Sequence, residues 1–146
     1  MKGVHIGVGA LALVLNGSAG ALGAYSYWRV RRTVWFWRLL RAGQATLVVQ
    51  AALGGVLVLM GYKASGLHVL YGLLPLAISF VGEQLRVASA EMVLQARGFE
   101  TASEVGALPA EEQGAIVTAI VQRELGVMTL AALVIVVLLV RAAGVA

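Results

Sequence analysis

Two histidines, His5 and His68, are the side chains in this sequence best able to bind a transition metal or a haem iron, and cysteine is absent. They lie 63 residues apart, and each is followed four residues later by a glycine, Gly9 after His5 and Gly72 after His68. On a helix that spacing removes a side chain about one turn away on the same face, which clears room for a flat macrocycle. The plainer reading makes His5 an interfacial residue and His68 a helix-capping residue near Lys63. Zinc is poorly served, since it usually takes three or four protein ligands and neither cysteine nor intramembrane aspartate is present. Copper(I) is better served, because Met60, just across the Lys63 turn from His68, adds a soft thioether.

Both histidines need helices to hold them, and the composition says which kind. Of the 146 residues, 60% are hydrophobic and 12% charged, and the mean hydropathy is +0.90. Such a chain does not suit a water-soluble globule of one domain. A membrane-spanning helix needs about 20 apolar residues, and four stretches supply them: Gly3 to Trp28, Leu39 to Tyr62, Gly66 to Arg86 and Leu125 to Val140. The expectation is an all-α membrane protein, a single domain over residues 1–146. Its four helices should lie at about 3–28, 39–62, 66–97 and 110–142 and form a transmembrane bundle. Gly3 and Gly7 form a small-xxx-small pair for close packing of the first helix.

The formal charge of +4 does not point to nucleic acid, because the basic residues flank the spans instead of gathering on a separate polar domain. Arg29, Arg31, Arg32, Arg38, Arg41, Arg86, Arg97 and Arg123 fall in one set of connections, against Lys2, Lys63 and Arg141 in the other. The positive-inside rule therefore places both termini and the Lys63 turn outside the cytoplasm. The same arginines argue against a cleaved secretory signal at residues 1–24, since a basic cluster directly after the apolar run resists translocation. Trp28, Trp35, Phe36 and Trp37 are expected in the interfacial aromatic belt, along a segment from Arg29 to Arg41 lying at the cytoplasmic surface. Beyond the bilayer, Glu83, Gln84, Arg86, Glu91, Gln95 and Arg97 continue the third helix into the cytoplasm. Pro109, Glu111 and Glu112 read as the start of the segment leading into the fourth.

This topology puts His5 and His68 at the same outer membrane level, on the first and third helices. Those helices are commonly diagonal in a four-helix bundle, where cofactor sites are built from facing side chains. The segment Gln50-Ala-Ala-Leu-Gly-Gly55, with Gly61, His68-Val-Leu-Tyr71 and His5 at the head of the first helix, resembles one four-helix half of the haem A synthase family. The resemblance covers about residues 1–90 and implies His5 and His68 as axial ligands of one haem b. It departs where the family's active half carries a glutamate one turn before its first histidine. Lys2 stands there, and the cysteine pair common in many members is missing. The resemblance therefore does not extend to hydroxylation of a haem substrate. Lys2 and Lys63 instead suit pairing with haem propionates.

Among the other polar groups, Asn16 falls about 16 Å along the helix from His5 and is expected to hydrogen-bond across helices, to Gln50 or Ser79. Glu83 and Arg86, three residues apart, should form an ion pair. The leading functional expectation is a small b-type cytochrome of the cell inner membrane, multi-pass, for electron transfer or haem handling more than stand-alone catalysis. Its partners would be the lipid bilayer, with a quinone or a respiratory membrane complex, and a homo-oligomer is compatible with it. The contrasting expectation is a cofactor-free assembly subunit docking through the acidic segment Glu100 to Glu124. A channel or transporter is disfavoured because no charged residue falls at the bilayer centre.

Overall fold

The computed structural model describes residues 1–31 and 33–146. Arg32, counted above among the cytoplasmic arginines, lies outside the described residues. Among these residues the chain forms helices and no strands: α1 (Lys2–Trp28), α2 (Val34–Leu59), α3 (Gly66–Ala96), the short α4 (Ala102–Gly106) and α5 (Ala110–Gly144). Four of them, all but α4, are long and apolar enough to cross a membrane, which makes this a multi-pass membrane protein.

The chain returns on itself three times. Lys2 Nζ stands 4.5 Å from the centre of the Tyr62 ring, and Ser65 Oγ donates to the carbonyl of Val145 at 2.7 Å. Both termini and the α2–α3 turn thus share one end, here the terminal end. The α1–α2 turn, with Arg29 and Arg31, and the α3–α5 connection mark the opposite, arginine end. Helix α1 packs on α2 and α5, and α3 packs chiefly on α5, whereas α2 and α3 touch along a much thinner seam.

Close approach between α1 and its neighbours depends on glycines nearer the arginine end than expected. A Cβ on Gly20 would lie 2.7 Å from Leu133 Cδ2, and one on Gly23 only 2.2 Å from Thr129 Oγ1 and 2.6 Å from Phe36 Cε2. Gly3 and Gly7 face open space, so the small-xxx-small contact does not form there. Helix α2 begins at Val34, five residues before the expected start, and ends at Leu59, three residues early. As a result Phe36 is not a belt residue. It is fully buried with Leu40 of α2, Ala19 of α1 and Leu125, Met128 and Ala132 of α5. Helical geometry turns Phe36 inward while Trp35 stays exposed, with the Arg38 guanidinium 5.2 Å from its ring.

A second cluster joins Ala12, Leu47 and Ile135, with Leu76, Ile78 and Leu139 against it. Beyond it, toward the terminal end, only Leu57 and Ala142 are buried hydrophobics, so the protein's own packing thins where the histidines lie. The accessible surface is 8756 Å², against about 7,100 Å² for a compact soluble monomer of this mass. Rods packed along their sides account for the excess. At 1.5 Å per residue, α3 and α5 run roughly 46 and 52 Å, well past a hydrocarbon core of about 30 Å.

Candidate functional site

His68 lies in the first turn of α3, and local chemistry sets it there. Ser65 is the N-cap, with extended backbone, and its Oγ accepts from the backbone N–H of His68 at 3.1 Å. The His68 ring then reaches α5, where Nδ1 lies 3.0 Å from the carbonyl oxygen of Ala142. A carbonyl only accepts, so Nδ1 carries the proton and Nε2 keeps its lone pair. Ala142 can accept because it lies in the last turn of α5, where its carbonyl has only a long bond, 3.4 Å, from the Val145 N–H.

His5 is held from the other side, by α2. Its Nε2 is 3.3 Å from Gln50 Nε2, and its Cε1 lies against Gly54, where a Cβ would stand 3.3 Å away. Gly9 makes room for the same Gln50, because a Cβ there would come within 2.8 Å of the amide nitrogen. Gly9 therefore does not clear space for a macrocycle as its spacing to His5 implied; Gln50 fills that space. Gly72 does face open space. His5 Nδ1 and Gln50 Oε1 are both buried without a hydrogen-bond partner, and such atoms call for an explanation.

The two imidazoles come together, with ring centres 6.1 Å apart and planes inclined at 59°. Two imidazoles on opposite sides of one metal ion would stand about 6 Å apart, from metal–nitrogen bonds of about 2 Å and roughly 1 Å from nitrogen to ring centre. The nitrogens without a protein hydrogen bond are Nε2 of His68 and Nδ1 of His5. Among the described residues no three His, Cys, Asp or Glu side chains converge. Two imidazole nitrogens alone fall short of the three or four protein ligands that a zinc ion usually takes. Lys2 sits at the same end, stacked on Tyr62, and Lys63 is exposed in the α2–α3 turn. Met60 is 58% exposed.

The remaining polar groups serve packing. Asn16 is buried, but its Nδ2 donates to Ala12 O of its own helix at 2.8 Å instead of crossing to Gln50 or Ser79. Its amide lies against Gly43 of α2, which has no side chain to obstruct it. At the arginine end the Glu83–Arg86 pair forms, at 2.8 Å, within a larger network. Glu83 also binds the Arg41 guanidinium and accepts from Gln44 Nε2 at 2.9 Å, and Arg86 reaches Glu124 of α5 at 3.8 Å. Sequence reading assigned Arg41 only to topology and passed over Gln50 as the partner of His5. The signal available was the rarity of glutamine in an apolar span, together with Gln50 and Gly54 lying four residues apart on one face.

No protein family, curated protein or solved structure matches this chain.

Proposed function

We propose that this protein is a small b-type cytochrome of the cell inner membrane, a four-helix bundle holding one haem b between His5 and His68. Its termini lie on the extracytoplasmic side, where the haem sits, and its work is electron transfer or haem handling. The observation that carries this reading is the 6.1 Å separation of the two rings. Nothing in local sequence requires histidines from α1 and α3 to meet, and they are the only two in the chain.

A haem would supply one-electron chemistry at its iron, and His5 and His68 are the residues that would hold it. Ala142 fixes the proton of His68 on Nδ1, so that Nε2 is the free donor. Gln50 and Gly54 hold His5 from behind. Lys2 and Lys63 place positive charge at the same end, suited to propionates. The thin α2–α3 seam and the open space at Gly72 provide the side from which a flat group would enter.

An absorption spectrum of the purified protein in detergent, oxidised and then reduced with dithionite, tests the reading. We expect an intense Soret band and sharp reduced α and β bands characteristic of low-spin iron. His5→Ala or His68→Ala should each abolish haem retention while leaving the protein folded. A colourless protein after expression with ample haem overturns the cytochrome. The projecting ends of α3 and α5, with α4 between them, would then be the feature to pursue as a docking stem.

A further inference from the structure

A groove of about 700 Å³ runs between α1 and α5 at the arginine end, and we propose that it holds one anionic glycerophospholipid. The acyl chain lies against Ala24, Leu130 and Leu133, and the phosphate is at Arg29. The volume falls in the range of small-molecule sites, and the lining is almost wholly apolar. Gly126 shapes it: a Cβ there would lie 2.9 Å from the Tyr27 ring, so the ring can rest directly on α5 and form one wall. At the mouth, Trp28 is 88% exposed and borders a second hollow that it shares with Tyr25 and Arg29. No carboxylate among the described residues pairs with Arg29, whose guanidinium stands 5.9 Å from the Tyr25 ring.

Spacing and charge select the occupant. From Ala24 to Arg29 the helix rises about 7.5 Å, which matches the roughly 5–8 Å between the hydrocarbon edge and the outer headgroup boundary of one leaflet. Tryptophan and arginine following each other at that level are what a lipid headgroup meets. A transmembrane helix of a partner would fill the apolar part and leave the arginine without purpose. A quinone head can accept a hydrogen bond from a guanidinium but carries no negative charge for it to neutralise, and it would sit at the opposite end of the molecule from the histidine pair. An anionic phospholipid uses both halves of the site. This inference does not rest on haem binding, so either can fail alone.

Native mass spectrometry of the detergent-solubilised protein, titrated with phosphatidylglycerol or phosphatidylcholine of identical chains, tests it. We expect one tightly retained phosphatidylglycerol, favoured over phosphatidylcholine by about fivefold, the effect of one basic residue at a membrane surface. Ala24→Phe, which fills the groove from an exposed position, should remove retention of both lipids. Arg29→Gln, also exposed, should keep lipid but lose the preference. Equal retention of the two lipids by the unaltered protein would overturn the assignment. So would unchanged retention by Ala24→Phe with its thermal unfolding intact, displacement of the phospholipid by a neutral quinone, or a dimer mass that excludes lipid.

Discussion

Gly23 leaves no room for a side chain, because Thr129 Oγ1 and Phe36 already occupy the place its Cβ would take. Gly23→Leu would therefore force α1 away from both α2 and α5. It should lower stability by about 3 kcal/mol, at the upper end of overpacking costs. Gly7→Ala, at a position open to lipid, should instead raise stability by roughly 0.5–1 kcal/mol through helix propensity alone. Thermal unfolding in one detergent compares the two, and losses of equal size would show that the α1 contact is not the tight one. Gln50 offers a finer case. With a metal on His5 Nδ1, Nε2 must carry the proton, so the Gln50 amide must present its oxygen there. The nitrogen–nitrogen contact then becomes Nε2–H donating to Oε1, and amide orientation is assigned from exactly such partners. Gln50→Leu should weaken haem affinity about 10–100-fold, the usual effect of losing an outer-shell partner, while His5 remains in place. A haem titration that gives the same affinity for variant and wild type would remove Gln50 from the site.

Between elements, the thin seam of α2 against α3 is closed at the arginine end by Glu83, which takes contacts from Arg41 and Gln44 on α2 and from Arg86 on its own helix. Removing that carboxylate leaves Arg41 with only Gln44 Oε1, at 2.7 Å, and Arg86 with only the 3.8 Å contact to Glu124. Glu83→Ala should cost roughly 2 kcal/mol, a hydrogen-bonded charge's typical worth, whereas Glu91→Ala, exposed on the same helix, should cost nothing measurable. Equal unfolding midpoints for the two variants would mean that the seam is held by apolar contacts alone. The existence of the four spans was legible because apolar length decides them. The start of α2 was not: Trp35, Phe36 and Trp37 have the composition of an interfacial belt, and only the rotation of the helix sends Phe36 inward while Trp35 stays out. The histidines could be named from their rarity, and matched depth followed from counting spans. That Gln50 occupies the space left by Gly9, or that Asn16 bonds within its own helix, depends on helix rotation and side-chain rotamers. Neither is written in the spacing of residue types.

At the level of the whole molecule, the proposed placement of the histidine pair relative to the two sides of the membrane rests on charge alone. Packing fixes that the termini share an end with His5 and His68, and the proposal takes the compartment that end faces from the distribution of basic residues. Eight arginines against three basic residues give a wide margin for terminal ends outside the cytoplasm. Alkaline phosphatase fused after Val145 should therefore be active, and a fluorescent protein that matures only in the cytoplasm should stay dark. The margin itself can be tested. Replacing Arg29, Arg31 and Arg38 with asparagine and adding three lysines after Gly144 would change the balance to five against six. Short-loop charge then no longer favours the original orientation, and since added C-terminal charge can invert a protein, a large share of molecules should insert the other way, with the fusion signals exchanged. In the inverted molecules the four helices still pair as before, because the contacts among them do not refer to the membrane's sides. Haem bound to that population would then respond to reductants confined to the cytoplasmic side of sealed vesicles, and haem in the original population would not. An unchanged phosphatase signal after the charge reversal would mean that orientation is set by something other than these arginines.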